Sequence, residues 1–207
     1  MKALSVIAVS LVFAAGIATA RSVNVEVQGT AGPWDCGLNP AYQYGAGNSA
    51  PTVISTASGF SFSAGLSLTV SYVSGLVDSV SGDGFYNATG NTNPPAIDGS
   101  IWAFAAPSYY MDPATYPIWR GELVGTFANN SGHIVGTPFA IGNLGTFTIP
   151  SGATQLQLGV NDTLHNDNLG SWTVQISQIP EPMTASLVLV GLGGLGLAAR
   201  RCRRSEV

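Results

Sequence analysis

Charge is scarce in this sequence. Charged side chains make up 9% of its 207 residues, against about 25% in an ordinary soluble domain. Lysine occurs once, at Lys2, and there are two histidines and two cysteines. Each shortage excludes something. A nucleic-acid binder needs a basic face, and the formal net charge is −4. Cys36 and Cys202 are too few for a disulfide scaffold. The 26 glycines and 12 prolines follow no Gly-X-Y period, so collagen is ruled out. Low charge alone would suggest disorder, but 45% of the residues are hydrophobic, enough to build a core.

The charges present are unevenly placed. Arg200, Arg201, Arg203 and Arg204 crowd the C-terminus. Between residues 21 and 180 only Arg21 and Arg120 stand against nine acids, a net −7. That middle part repels anions and attracts hard cations.

The two ends read as addresses. Residues 1–20 have the form of a secretory signal helix: Lys2, an apolar stretch from Leu4 to Ile17, then Ala18-Thr19-Ala20 as a cleavage site. Cleavage between Ala20 and Arg21 is predicted. At the other end, residues 179–207 hold Pro180-Glu181-Pro182, an uncharged apolar run over 183–199, and the arginine cluster. As a single hydrophobic helix rising about 1.5 Å per residue, that run spans roughly 25 Å, at the short limit for crossing a membrane. The arginines would stay cytoplasmic. Physics alone therefore gives a single-span membrane protein with its acidic domain outside.

The ordered tail also resembles the PEP-CTERM sorting signal, which the exosortase system recognises and processes. The resemblance implies a Gram-negative bacterium with an exopolysaccharide-producing envelope. It also implies export through the Sec machinery, transient anchoring in the inner membrane, removal of the tail, and delivery to the cell surface or extracellular matrix. A permanent single-span anchor is the alternative.

Residues 21–178 read as one all-β domain. Val23, Val25 and Val27 alternate with polar residues, as do Leu66 to Tyr72, Leu156 to Val160, and Trp172 to Ile176. Weaker strands are expected near 52–57, 101–106, 121–127, 134–140 and 145–149. Such strands imply antiparallel sheets packed as a sandwich. Ser58-Gly59 and Ser74-Gly75 read as turns, and Cys36 as a small buried residue. An insertion over about 78–119 interrupts the pattern. It is rich in Gly, Asn and Pro, yet it carries Phe85, Tyr86, Trp102, Tyr109, Tyr110, Tyr116 and Trp119. Aromatic rings with polar tips suit the mixed faces of sugars, and Tyr109, Tyr110 and Trp119 are the candidates for stacking. They suit equally well the covering of a sheet.

The densest polar cluster runs from Asn161 to Gly170. It stands between two clear strands and reads as a hairpin-type loop. Asp162, Asn166, Asp167 and Asn168 offer hard oxygens of the kind Ca²⁺ takes. It is not an EF-hand, because Thr173 stands where the closing Glu would be and the flanks are strands. Asn and Asp also dominate ordinary turns, so both readings stand.

The run from Gly121 to Ile176 resembles the PA-IL-type calcium-dependent galactose-binding lectins. Gly121-Glu122-Leu123-Val124, Gly136-Thr137-Pro138, Asn161-Asp162, Asp167-Asn168 and Gly170-Ser171 stand in the family's order. Upstream, Trp34-Asp35-Cys36-Gly37 more weakly resembles a stretch of the wider family. The resemblance implies a jelly-roll β-sandwich in which Asp162, Asp167 and Asn168 hold Ca²⁺ and sugar hydroxyls complete its shell. There are departures. The loop is shorter, Asp167 replaces Asn, Leu169 replaces Ser, and no Tyr stands near Ser79 to give a backbone carbonyl.

No catalytic apparatus stands out. His133 and His165 are too far apart for a zinc motif, there is no Gly-x-Ser-x-Gly elbow, and nothing in the spacing of Asp98, Asp112 and Glu122 marks a glycosidase pair. The expected function is non-enzymatic binding of glycan or exopolysaccharide. The alternative is a structural matrix protein with no specific ligand.

Overall fold

The computed structural model describes residues 20–41, 49–79, 84–92, 118–162 and 164–178. The signal segment, the tail, Tyr109, Tyr110 and the strand expected at 101–106 lie outside them. Among the described residues there are eight strands: β1 (Arg21–Gln28), β2 (Thr52–Ser55), β3 (Ser67–Asp78), β4 (Leu123–Ala128), β5 (Phe139–Ala140), β6 (Leu144–Thr148), β7 (Gln155–Val160) and β8 (Leu169–Gln178). Among the described residues, helix is confined to 3-10 turns at Thr56–Ser58 and His165–Asp167.

The strands form two antiparallel sheets, ordered β1-β8-β3-β6 and β2-β7-β4-β5. The pairs β1–β8, β2–β7, β3–β6 and β4–β5 are those of one long hairpin rolled onto itself, the jelly-roll order. β1 and β8 run side by side from Arg21↔Gln178 to Gln28↔Ser171. Alternation places Val27, Leu68, Val70, Leu156, Leu158, Val160, Trp172, Val174 and Ile176 in the shared core. Each large apolar side chain buried there contributes about 1.5–3 kcal/mol. Trp172 also donates its indole N–H to the Tyr86 carbonyl at 3.1 Å, which fixes the segment 84–92 to β8.

Three expectations about strands and turns need correction. The loop after β7 is not a hairpin, because β7 and β8 belong to different sheets and the chain crosses between them. Periodicity marks a strand but does not name its partner. Of the strand expected at 134–140, only Phe139–Ala140 forms, since Pro138 has no amide proton to give to a ladder. Ile134 makes just an isolated bridge to Ala128. Ser74-Gly75 is not a turn between strands. It lies inside β3, where the register with β8 shifts between Tyr72 and Ser74. Gly75 takes φ 93° there, and a Cβ would strike the Ser171 carbonyl.

The second sheet is covered on both faces. All six residues of β4 are buried. Leu123 and Phe127 face the main core, while Val124 packs with Trp34 and Ile118 on the outside. The segment after β1 lies across that outer face. Asn39 clamps it: Nδ2 donates to the Asp35 and Gly132 carbonyls at 2.9 and 3.1 Å, and Oδ1 accepts from the Ile134 amide at 2.9 Å. Cys36 is half-buried against this outer cluster rather than fully buried.

Candidate functional site

Several segments meet at the end of the sandwich where β3 stops and β8 starts. Asp78 pairs with Leu169. The Gly29 amide donates to the Gly170 carbonyl at 2.9 Å, and Asn168 Nδ2 donates to the Gly29 carbonyl at 2.8 Å. The Gly121 amide donates to the Asn161 carbonyl at 2.9 Å, and the Asn161 amide to the Glu122 carbonyl at 2.8 Å. Asn161 Nδ2 donates to the Trp119 carbonyl at 2.9 Å. Ser79 closes in from β3, its Oγ 2.6 Å from where a Gly121 Cβ would stand. The loop 161–168 is thereby tied to β1, β3 and the entry to β4.

His165 is the loop's buried post. Its side chain has no solvent exposure, and Nε2 lies 3.1 Å from the Val160 carbonyl. Burial lowers its pKa against the opposing pull of the Val160 carbonyl and the Asp167 carboxylate. The ring is therefore neutral near pH 7, with Nε2–H as the donor to Val160. The sequence offered His165 only as half of a histidine pair too widely spaced for a zinc motif. His133 is exposed in the loop after β4, its Nδ1 2.9 Å from the Leu38 carbonyl. The two histidines sit at opposite ends of the β4–β7 pair and share no site.

Around this post lie oxygens shielded from solvent. Asn161 Oδ1, Asp167 Oδ1 and Asn168 Oδ1 are each buried without a hydrogen-bond partner. An unsatisfied buried acceptor costs about 1–3 kcal/mol, so three in one short loop call for a partner, either a hydrogen-bond donor or a cation. Asp162, 5% exposed, belongs to the same loop. Asn166, also expected as a ligand, is exposed on the turn. Trp119 is half-buried beside the loop through its backbone. Among the described residues, no group of three or more His, Cys, Asp or Glu converges to hold a metal. A cation here would depend on amide oxygens as well as carboxylates. That donor set suits Ca²⁺ and does not suit zinc.

Glu122 is the residue that sequence reasoning undervalued. It is 7% exposed, and its Oε2 accepts the Trp119 amide at 2.8 Å. Burial pushes its pKa up to about 8, with the Trp119 hydrogen bond opposing. At neutral pH the carboxyl is mostly protonated. The available signal was an acid at the head of the largely apolar strand Leu123–Ala128, in which Thr126 is the one polar side chain. Asp98 and Asp112, the other acids considered for catalysis, lie outside the described residues.

The predicted cleavage site falls at the start of a strand. Ala20 is exposed and irregular, and Arg21 opens β1, its guanidinium donating to the Ser58 carbonyl at 2.8 Å. At the other end, residues 178–204 match the PEP-CTERM protein-sorting motif, a span that includes Pro180, Glu181, Pro182, Arg200, Arg201, Arg203 and Arg204. No curated protein matches the chain. The motif marks a protein exported across the membrane, processed by exosortase and sorted to the cell surface. Mass spectrometry of the native surface form is expected to give Arg21 as the N-terminus and to lack everything after Pro182. Retention of residues 183–207 would instead indicate a permanent anchor.

Proposed function

We propose that the exported domain is a non-catalytic glycan-binding module of the cell surface or matrix, and that Asp162, Asp167 and Asn168 hold one Ca²⁺ at its tip loop. The observation that carries this reading is the set of buried acceptor oxygens on Asp167 and Asn168, unpartnered and next to a buried Asp162 in one loop. The likeness of Gly121 to Ile176 to the PA-IL-type lectins supports it further. So does the jelly-roll strand order. A bound Ca²⁺ would supply a hard positive centre able to take sugar hydroxyls as ligands. The chain's own residues hold the loop in place. His165 props it from beneath, and the amide groups of Asn161 and Asn168 are spent on Trp119 and Gly29, so their oxygens are left for other use. An exopolysaccharide is the partner that fits a surface-sorted protein of this kind.

Calcium is expected to raise the melting temperature of the full-length protein. A ligand bound only by the folded state adds about 2.7 kcal/mol at a hundredfold excess over Kd. For a domain of this size that corresponds to about 5–10 °C. Asp162→Asn is expected to remove most of the rise, and magnesium to give far less, because it demands tighter octahedral geometry. Calorimetry with no calcium heat and no melting shift at millimolar calcium would overturn the site. A structural surface protein without a ligand would then be the better reading.

A further inference from the structure

We infer that a second carbohydrate subsite lies beside the loop, in a cleft between β3 and residues 84–92, and that it takes the next sugars of a neutral polysaccharide chain. This rests on the glycan reading above and extends it from a single sugar to an extended chain.

The cleft has a volume of about 480 Å³, and its walls include Tyr72, Leu76, Phe85, Tyr86, Asn87 and Thr89. Its position follows from pairing. Val77 stands opposite Gly170 of β8 on one side and exchanges both backbone hydrogen bonds with Tyr86 on the other, at 2.9 and 2.8 Å. That pairing sets Phe85 against β8. Its Cε1 is 3.5 Å from where a Gly170 Cβ would stand, two residues beyond Asn168. The cleft and the loop therefore adjoin on one surface.

The lining chooses the ligand. Among the described residues that line it, none carries a charged side chain. That disfavours acidic glycans and charged peptides alike. Phe85 and Leu76 are 53% and 48% exposed and line the same cleft, so they offer an apolar surface that a ligand can cover. Tyr72 is held by its hydroxyl, which donates to the Gly75 carbonyl at 2.8 Å, so its ring is fixed in place. Asn87 spends its Oδ1 on the Thr89 amide at 3.0 Å, leaving its NH₂ group as a donor. Apolar rings beside amide and hydroxyl groups match a sugar, which has an apolar C–H face and a rim of hydroxyls. A peptide adding a strand finds no opening at Val77, because both of its sides are already paired.

The test is a glycan array of neutral oligosaccharides of one to six galactose, glucose or mannose units, read with full-length protein in calcium and in EDTA. Tetrasaccharide binding is expected to be about tenfold tighter than monosaccharide binding. Phe85→Ala is expected to erase that gain while leaving monosaccharide binding and the calcium melting shift unchanged. Phe85→Trp is expected to keep the gain. Equal affinity for short and long chains, a gain that survives Phe85→Ala, or a blank array would overturn the subsite. So would self-association that Phe85→Ala abolishes, since the patch would then belong to a second copy. The two readings separate in EDTA. Length-dependent, Phe85-sensitive binding that persists without calcium supports the cleft and overturns the metal. Calcium-dependent binding with no length gain does the reverse.

Discussion

Raising the pH from 5 to 9 is expected to destabilise the domain, and Glu122→Gln is expected to remove most of that loss. The Glu122 carboxyl titrates at about 8 in the folded protein, against an ordinary value of 4.5. Between those values the folded state binds the extra proton. Its contribution is therefore complete below 4.5 and is lost as pH rises through 8. The full displacement corresponds to at most about 5 kcal/mol. His165 has the opposite sign. Its pKa is lowered by burial, so its contribution is present above 6.5 and is lost as pH falls below that value. The two oppose each other on the acid side, and the Glu122 effect stands alone above 6.5, where about 2 kcal/mol remains to be lost. Gln keeps an oxygen for the Trp119 amide and cannot ionise. Urea unfolding at a series of pH values tests this. A wild-type midpoint that stays level between pH 6.5 and 9 would show that Glu122 is already ionised when folded.

Gly159→Ala is expected to cost about 3 kcal/mol or more, a fall in melting temperature of about 6–12 °C. Gly159 sits in β7 on the outer face of the second sheet. A Cβ there would overlap the Gly32 carbonyl and the Pro33 nitrogen. These are backbone atoms and cannot rotate away, so the segment after β1 must lift from the sheet. Trp34, fully buried beneath that segment, would then meet water. A red-shifted tryptophan emission in the folded variant is the accompanying signature. Gly65→Ala provides the contrast. Gly65 has φ 90° but nothing within 4 Å of a Cβ. It carries only the conformational cost, about 1–2 kcal/mol. If Gly159→Ala proves no worse than Gly65→Ala, the segment is not packed as described.

These two residues also show where the sequence was legible and where it was not. The strands that alternate cleanly, around Val23 to Val27, Leu68 to Tyr72 and Trp172 to Ile176, each have one face in the core. Their period of two states this directly. β4 has both faces buried, so its alternation disappears and only its apolar character remains. The cover responsible, residues 29–41, has no period because it lies in irregular backbone held by Asn39 and Trp34. Gly159 in sequence is a small residue in a strand, and its reason is a neighbour more than a hundred positions away. The candidate loop was visible because Asp162, Asp167 and Asn168 concentrate oxygens in one short stretch. Its supports were hidden. Burial of His165 and of Glu122 depends on the crossover between sheets and on the turn at Trp119, which composition does not encode.

The pairing of β1 with β8 also decides how the molecule is presented. The sorting motif begins at residue 178, the last residue of β8, and Arg21 lies opposite it. The loop and the cleft adjoin the other end of the same strand. Ten residues of strand at about 3.3 Å each separate the two ends by roughly 30 Å. The sorting motif thus leaves from the foot of β8, and the 161–168 loop and the Phe85 cleft lie toward its other end. A ligand held at the proposed site would therefore lie a full strand length away from the point where the sorting motif joins the domain.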